Sequence, residues 1–381
     1  MGGFLFFSRG GGNMRTWAEI NLDNLAYNLD RIKKLSKGRE VLAIIKADAY
    51  GMGAVTIAKE LSTLGVGIFG VSSLEEGIEL RQNDIQGEIL VLAGVFDDEL
   101  PIAKRYNLQV AITNLTQLEY IANNFIDIPI HIKVDTGMGR VGFSVNETRE
   151  AIKISKEKGL NIVGIYSHLS VADESDADSI EYTMEQLKKF QEFEEENLKY
   201  IHILNSGGIL KFSDRDKSNL VRAGIILYGV YGEGLIENMK RVFTLKSRVL
   251  FIKKLEEESY ISYGRTATAK KGDILATIAV GYADGFRRDF SNVGEVEVLG
   301  EKCPIVGKVC MDMTMIKIPE TIASRVKPGD EVTVIGEDIF DKSKLIGISI
   351  YELFTGLSRR VSRVYIKDGI PHVVNNLIGK S

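Results

Sequence analysis

A lysine, a tyrosine and two glycines stand close together near the start of the chain, in the run Ala-Ile-Ile-Lys-Ala-Asp-Ala-Tyr-Gly-Met-Gly at residues 43–53. Lys46 follows an apolar run typical of a buried strand, and a lysine shielded from water has a lowered pKa. Its neutral amine could form a Schiff base with an aldehyde, and Tyr50 is close enough to reach a phosphate on the same ligand. These residues favour pyridoxal 5'-phosphate (PLP) held on Lys46, against the alternative of a solvated lysine at a strand end.

The elements that would position this lysine are short apolar runs alternating with segments of helical spacing, between about residues 40 and 225. The runs are nearly continuous in β-branched residues, as strands buried on both faces require. They cover 41–45, 68–72, 88–92, 109–112, 130–134, 162–166, 201–204 and 219–222. The segments with helical spacing between them include 54–64, 74–82, 115–124, 147–158 and 181–198. Eight such strand–helix units predict an α/β fold with a (β/α)8 TIM-like barrel rather than an open sheet.

The helical spacing disappears after about residue 245, where strand patterns separated by Gly-Asp and Pro-Gly-Asp turns replace it. We therefore expect a PLP-binding barrel over 14–245 and a mostly antiparallel β-domain over 246–381. Residues 1–13 are glycine-rich with a short apolar patch. We interpret them as a disordered leader, with Met14 as the natural start.

The composition restricts the classes of function. The 381-residue chain has a net charge of −4 with both signs interspersed, which favours neither a nucleic-acid nor an anionic-membrane partner. Its two cysteines, Cys303 and Cys310, cannot form a disulfide scaffold, and its four histidines are too scattered to predict a metal site. No window approaches the roughly 18 apolar residues that a membrane span needs. These features predict a cytoplasmic protein.

Polar residues follow several of the predicted barrel strands. Arg140 follows the fifth strand, His168 the sixth and Asn-Ser-Gly-Gly at 205–208 the seventh, while Arg-Ala-Gly-Ile at 222–225 ends the eighth. Barrel active sites collect at the carboxyl ends of the strands, and phosphates favour the loops after the last two. Glycines there let backbone N–H groups approach an anion. We expect the site at this end of the barrel.

Five separate motifs resemble those of the alanine racemases, which are fold type III PLP enzymes. They are Lys-Ala-Asp-Ala-Tyr-Gly at 46–51, Lys-Val-Asp-Thr-Gly-Met-Gly-Arg at 133–140, Ser-Tyr-Gly at 262–264, Gly-Tyr-Ala-Asp-Gly at 281–285 and Val-Gly-Lys-Val-Cys-Met-Asp at 306–312. The resemblance implies a barrel and a β-domain in a head-to-tail homodimer. It also implies interconversion of L- and D-alanine, which would supply D-alanine for bacterial peptidoglycan.

Racemisation needs a proton removed on one face of a carbon and returned on the other, so two groups should flank the substrate. Lys46 is the first, and by resemblance the second is Tyr263, reaching the site of the other subunit. A tyrosine with an ordinary pKa near 10 is a poor base at neutral pH. We therefore expect His168 and Arg222 to supply positive charge near it.

The resemblance also assigns the residues around the cofactor. Arg222 would face the ring nitrogen and, because it keeps its proton, leave that nitrogen neutral, which favours reprotonation over transamination. Arg140 would lie near the ring hydroxyl and the substrate carboxylate. Lys133 carries either a carbamate or a salt bridge. Phosphate contacts carry over to Tyr50, Ser206, Gly224, Ile225 and Tyr351. Substrate contacts from the other subunit carry over to Tyr282, Met311 and Asp312, of which Asp312 would orient its neighbours.

Departures from the common family pattern leave the substrate range open. Asp48 replaces a usual asparagine and Met52 a usual histidine, so a broader racemase that accepts serine is one alternative. An amino-acid decarboxylase on the same fold and a non-enzymatic PLP carrier are two others. Arg222 argues against the decarboxylase, and the β-domain with Tyr263 argues against the carrier.

Overall fold

The computed structural model describes residues 14–232, 234–375 and 377, so the leader predicted at 1–13 lies outside the described residues. The chain divides into two compact units. One is Leu25–Lys240, and the other joins the residues up to Asn24 to those from Arg241 onward. Within the described part of the chain, every helix is too short or too polar to cross a membrane.

The first strand, β1 (Thr16–Asn21), precedes helix α1 (Leu22–Leu35). It pairs antiparallel with residues 243–247 and parallel with residues 362–366, both in the second unit. The predicted barrel, 14–245, included this strand. Its pairing places it in the β-domain instead, and the barrel unit ends at Lys240.

Eight parallel strands, β2 to β9, form the sheet of the barrel unit. They are β2 (Glu40–Ile44), β3 (Ile68–Val71), β4 (Glu88–Val91), β5 (Gln109–Ile112), β6 (Ile130–Lys133), β7 (Ile162–Tyr166), β8 (Tyr200–His202) and β9 (Leu220–Ala223). Pairing runs in the order β8-β7-β6-β5-β4-β3-β2-β9. Because β8 and β9 also lie side by side, the barrel is nearly closed. The predicted TIM-like barrel is confirmed.

Helices fill the connections between the barrel strands. The first, α2 (Lys46–Tyr50), is a single turn with left-handed backbone. The others are α3 (Ala54–Thr63), α4 (Leu74–Gln82), α5 (Leu100–Arg105), α6 (Leu115–Asn124), α7 (Val145–Lys158), α8 (Ala177–Phe190) and α9 (Ser206–Phe212). Local sequence sets their ends. In α7, Ser144 and Glu147 form a reciprocal capping box, and Gly159 ends the helix in the left-handed conformation that glycine adopts without strain.

A short hairpin, β10 (Val230–Tyr231) and β11 (Gly234–Leu235), ends the barrel unit. The second unit contains β12 (Phe243–Lys254), β13 (Ser259–Ile261), β14 (Ala267–Ala269), β15 (Ile274–Ile278), β16 (Glu295–Val298), β17 (Glu301–Pro304), β18 (Thr314–Lys317), β19 (Glu331–Ile335), α10 (Ile339–Ile346), α11 (Ile350–Thr355), β20 (Ser362–Lys367) and β21 (Ile370–Val374). The long strand β12 pairs antiparallel with β1, β15 and β19, and an irregularity between Val249 and Phe251 marks its change of register along β15. The predicted, mostly antiparallel β-domain is confirmed.

Candidate active site

Lys46 stands two residues after β2, where it opens an unusual left-handed turn. Ala47, Asp48 and Ala49 have φ of 51, 54 and 53° with ψ of 52, 45 and 49°, and Tyr50 has φ of 57°. This conformation costs roughly 1–2 kcal/mol for each non-glycine residue. Strain of this kind persists only where the surroundings enforce it, and it concentrates at functional sites.

Two carboxylates hold the turn in place. Glu76 on α4 accepts the Ala47 N–H through Oε1 at 2.6 Å, and its Oε2 accepts the Ser72 N–H at 2.6 Å. Asp48 Oδ1 accepts the Ala54 N–H at 2.8 Å, at the start of α3. The strained backbone is therefore fixed to two neighbouring helices, and the position of Lys46 is fixed with it.

The amine of Lys46 lies in surroundings that favour its neutral form. Burial lowers its pKa, and the positive charges of Arg140 and Arg222 lower it further, while Glu76 acts in the opposite direction. No described residue forms a hydrogen bond or an ion pair with Nζ. A neutral, unengaged amine is a nucleophile toward an aldehyde and a base toward a carbon acid.

Arg222 is buried near the end of β9, and both Nη atoms of its guanidinium form hydrogen bonds. Nη1 donates to the carbonyl oxygen and to Nδ1 of His202, at 3.0 and 2.9 Å. Nη2 donates to the carbonyl oxygens of Ser167 and Ile203, at 2.7 and 2.9 Å, and lies 3.2 Å from His168 Nδ1. Burial lowers the pKa of Arg222 to about 10, so it stays charged at neutral pH. Among the described residues, no acceptor lies within hydrogen-bond distance of Nε.

His168 differs from the expectation. Burial, followed by the charges of Arg222 and Lys133, holds its pKa well below the ordinary value. The ring is therefore neutral near pH 7, and it does not supply the positive charge that we expected of it. Arg222 is charged, and its expected place near Tyr263 of the other subunit stays a prediction.

Lys133 at the end of β6 is divided between its charged and its neutral form near pH 7. Burial, with Arg222 and Arg140 nearby, lowers its pKa to about 7. Its Nζ lies 4.4 Å from the centre of the Tyr166 ring and forms no ion pair within the described residues. The sequence left two hypotheses open for Lys133, a carbamate and a salt bridge. Within the described residues, Lys133 forms no salt bridge. The neutral form, which is the form able to take up CO2, is therefore well populated near pH 7.

The loop that carries Arg140 is shaped by Asp135. The carboxylate accepts the N–H groups of Gly137 and Gly139 at 2.9 and 3.1 Å. Arg140 itself is exposed, yet its charge acts on the pKa of both Lys46 and Lys133. The structure therefore brings Arg140 to the same end of the barrel as both lysines.

Four residues predicted to bind phosphate lie together at the ends of β8 and β9. Ser206 begins α9, and the Gly224 N–H donates to its hydroxyl at 3.4 Å. The Tyr50 hydroxyl approaches Gly224 so closely that a Cβ there would lie 2.6 Å from it. Ile225 follows, opening a 3-10 turn that ends at Tyr228. Only glycine at 224 leaves this space open.

The remaining predicted residues lie in the β-domain. Tyr263 opens a 3-10 turn between β13 and β14, and its side chain is 71% exposed. It lines a surface cavity together with Tyr282. The Tyr282 N–H donates to the carbonyl of Cys310 at 3.0 Å, which sets Tyr282 beside Met311. Three predicted residues thus share one surface.

Asp312 is held by Arg360, a residue that the sequence did not single out for the site. Arg360 bonds Asp312 through Nη2 and Asp284 through Nε, each at 2.8 Å. An ion-paired carboxylate of this kind suits the orienting role expected of Asp312. Tyr351 lies on α11, partly exposed.

The sequence missed Glu76 and the buried histidines of the barrel. Glu76 was hidden because its capping spacing explains it without any role near Lys46. His131 and His202 were set aside as too scattered, although each lies within a buried strand. A polar residue inside an otherwise apolar barrel strand is the signal that could have found them.

Comparison with known proteins decides the family. The family model described as alanine racemase, N-terminal domain, matches residues 20–232, and the one described as alanine racemase, C-terminal domain, matches residues 242–365. The chain belongs to the alanine racemase family. This confirms the resemblance carried by the sequence motifs.

Members of the alanine racemase family match the chain over nearly its whole length. A protein of Fusobacterium nucleatum named alanine racemase is 42% identical over 354 residues, which cover 93% of this chain and 100% of the relative. Alanine racemase 1 of Clostridium acetobutylicum is 38% identical, covering 95% and 98% of the two chains. A solved structure of alanine racemase from Clostridium difficile 630 is 34% identical and superposes with a TM-score of 0.88, covering 95% of this chain and 99% of that one.

Proposed function

We propose that this chain is a PLP-dependent racemase that interconverts L- and D-alanine, with Lys46 and Tyr263 acting on opposite faces of the substrate. The observation that carries the proposal is the unengaged amine of Lys46, whose pKa is lowered by burial and by Arg140 and Arg222. Relatives named alanine racemase over the full length supply the reaction and the substrate.

The residues at the barrel end fit PLP. The Tyr50 hydroxyl, Ser206 and the N–H groups at Gly224 and Ile225 would hold its phosphate, in space that any side chain at 224 would fill. Lys46 would hold its aldehyde carbon, and the Nε of Arg222, which lacks an acceptor among the described residues, would face its ring nitrogen. When bound, PLP supplies a conjugated ring that makes the α-proton of an amino acid acidic.

The chain's own side chains transfer the α-proton of the substrate. Lys46, with its lowered pKa, takes the α-proton from one face at neutral pH or returns it there. Arg222 keeps its proton because its pKa, although lowered by burial, stays near 10. It therefore leaves the ring nitrogen unprotonated, which limits charge delocalisation and favours return of the proton to the α-carbon. Lys133 carries a carbamate that orients Arg140 toward the substrate carboxylate.

The second base comes from another copy of the chain in a head-to-tail homodimer. Large apolar side chains are exposed on the β-domain, and two of them, Phe251 and Tyr260, line a surface cavity together with Tyr263. A contiguous apolar surface with aromatic residues is typical of a protein interface. In the dimer, Tyr263, Tyr282, Met311 and Asp312 reach the barrel site of the second copy, and Tyr351 stays a predicted phosphate ligand.

The proposal includes a cytoplasmic enzyme that supplies D-alanine for peptidoglycan, with neither nucleic acid nor membrane as a partner. Cys303 and Cys310 are both free thiols, the state that a reducing compartment maintains.

A chiral product assay of the purified protein with PLP, across a panel of L-amino acids, tests the function. We expect D-alanine to form fastest, and Lys46→Ala protein to form none. Equal turnover of L-serine would favour the broader racemase. Release of CO2 without any D-amino acid would favour a decarboxylase and overturn the proposal.

A further inference from the structure

A row of polar side chains runs through the interior of the barrel, which is ordinarily filled by branched apolar residues. Gln109 begins β5, His131 lies second in β6, His202 ends β8 and Arg222 lies in β9. All four are buried. The row therefore starts at the amino ends of the strands and finishes at the carboxyl ends, where the candidate site lies.

Each member of the row touches the next through a polar atom. Arg222 Nη1 is 2.9 Å from His202 Nδ1, and His202 Nε2 is 3.3 Å from His131 Nδ1. His131 Nε2 is 2.8 Å from Gln109 Oε1. The Gln109 amide nitrogen donates to the carboxylate of Glu88, which also pairs with Lys199. The row thus ends on an anion near the surface.

The chemistry of the two ends allows only one direction of donation. A carboxylate can only accept, so the Gln109 NH2 faces Glu88 and its Oε1 must accept from His131 Nε2–H. A neutral imidazole that donates from Nε2 accepts at Nδ1, so His202 must donate its own Nε2–H to His131. His202 Nδ1 is then left to accept from Arg222. Every donor points toward Glu88.

The surroundings keep both rings neutral and fixed in orientation. Burial lowers the pKa of His131 to about 3 and that of His202 well below its ordinary value, so each ring carries one N–H near pH 7. The Tyr166 ring stacks on His202 with 4.9 Å between ring centres and 3° between planes. Gly164 makes room for His131, since a Cβ there would lie 2.3 Å from Nδ1.

We propose that Gln109 is a positioning residue of the racemase: anchored on Glu88, it sets the tautomers of His131 and His202 and so holds the guanidinium of Arg222 in the orientation that serves the cofactor ring. The inference rests on the proposed function, because the ring nitrogen of PLP is the group that Arg222 would meet. Hydrogen bonds aligned in one direction polarise one another, so the anion at one end strengthens the bond to Arg222 at the other.

The tautomers can be observed directly in wild-type protein. The chain has only four histidines, so 15N-histidine labelling gives few ring signals, with His168→Gln and His372→Gln variants to assign two of them. We expect His131 and His202 to be neutral with the proton on Nε2, with and without PLP. A proton on Nδ1 of either ring, or a cationic ring at neutral pH, would overturn the inference. This test needs no change within the row.

The variant Gln109→Leu removes the acceptor of His131 while keeping a buried side chain of similar size. We expect a mixed tautomer at His131 and a roughly tenfold lower kcat with little change in KM, at the low end of losses on removing an outer hydrogen-bond partner of a site histidine. Gln117→Leu is the matched control, because Gln117 is also buried and donates to the Val95 carbonyl outside the row. Gln117→Leu should change neither the tautomer of His131 nor kcat. Equal effects of the two variants would reduce Gln109 to a structural role.

Failure of this inference is distinguishable from failure of the proposed function. Wild-type protein that racemises alanine but shows the opposite tautomers would end the role of Gln109 alone. Wild-type protein that shows the expected tautomers but exchanges no α-proton would end the racemase proposal, and the positioning role with it.

Discussion

Glu76 gives the sharpest test of how the structure holds Lys46. Its two oxygens accept the N–H groups of Ala47 and Ser72, each at 2.6 Å. Glu76→Gln keeps the shape but turns one oxygen into a donor, so one of these bonds is lost. A hydrogen bond to a charged group contributes about 1.5–3 kcal/mol. That loss is comparable with the cost of one or two residues in the left-handed turn, roughly 1–2 kcal/mol each.

We therefore expect the turn to open more readily in Glu76→Gln. The measurement is hydrogen exchange of the amides at 47–50, which should quicken roughly tenfold or more for a loss of about 1.4 kcal/mol or above. Glu75→Gln is the control, because Glu75 is an exposed carboxylate in the first turn of the same helix. Matching exchange in the two variants would refute the assignment of Glu76 to the turn.

Glu76→Gln should also change the pKa of Lys46. The negative charge of Glu76 raises the pKa of Lys46, against the larger lowering by burial. Removing that charge should lower the pKa of Lys46 further, so the neutral amine persists to lower pH. The midpoint of the pH profile for labelling Lys46 in PLP-free protein with an amine-reactive reagent should move down. A midpoint that moves up would contradict the sign of this interaction.

Three further substitutions test the proposed site. Lys46→Ala should abolish the visible absorption of bound cofactor, and retained colour would remove Lys46 from its role. Tyr263→Ala should keep the colour but slow α-proton exchange far more from one enantiomer than from the other; equal, mild losses would argue against opposed bases. Gly224→Ala should weaken PLP binding at least tenfold, because its Cβ would lie 2.6 Å from the Tyr50 hydroxyl and displace it; equilibrium dialysis with PLP measures this, and unchanged affinity would remove the phosphate site from this loop.

Local chemistry made much of the barrel predictable. The predicted runs at 109–112 and 162–166 coincide with β5 and β7, because β-branched residues there are bounded by turn residues. Helix α4 was also predicted at its observed bounds, because Ser73 and Glu76 form a capping box at its start. Where the determinants lie within a few residues, the sequence is sufficient.

Helix α8 was misplaced for a local reason that is visible in the structure. The sequence predicted a helix over 181–198, but it spans Ala177–Phe190. Asp176 caps it by accepting the Ser179 N–H at 2.9 Å. The predicted segment began after this cap, so it left out the first turn of the helix.

The sequence placed β1 in the barrel, whereas its pairing partners lie in the β-domain and are distant in sequence. β1 is mostly buried, and only Glu19 and Asn21 are partly exposed, a pattern that fits a strand of either unit. Its partners β12 and β20 follow more than 200 residues later, and no local pattern states which sheet a strand joins. The left-handed turn is similar, since the carboxylate that binds Ala47 is 29 residues away.

The polar row in the barrel was the hardest feature to predict, and its cost indicates why it matters. A buried polar group left without a partner costs about 1–3 kcal/mol, whereas apolar residues of similar volume would fill the same space with no such requirement. Stability therefore gives no reason for Gln109, His131 and His202 to be polar. The orientation of Arg222 gives such a reason. A row with a carboxylate at one end and a guanidinium at the other can form its hydrogen bonds in only one arrangement. A barrel lined with valine and leucine would pack as well and leave Nη1 of Arg222 without the imidazole that now receives it.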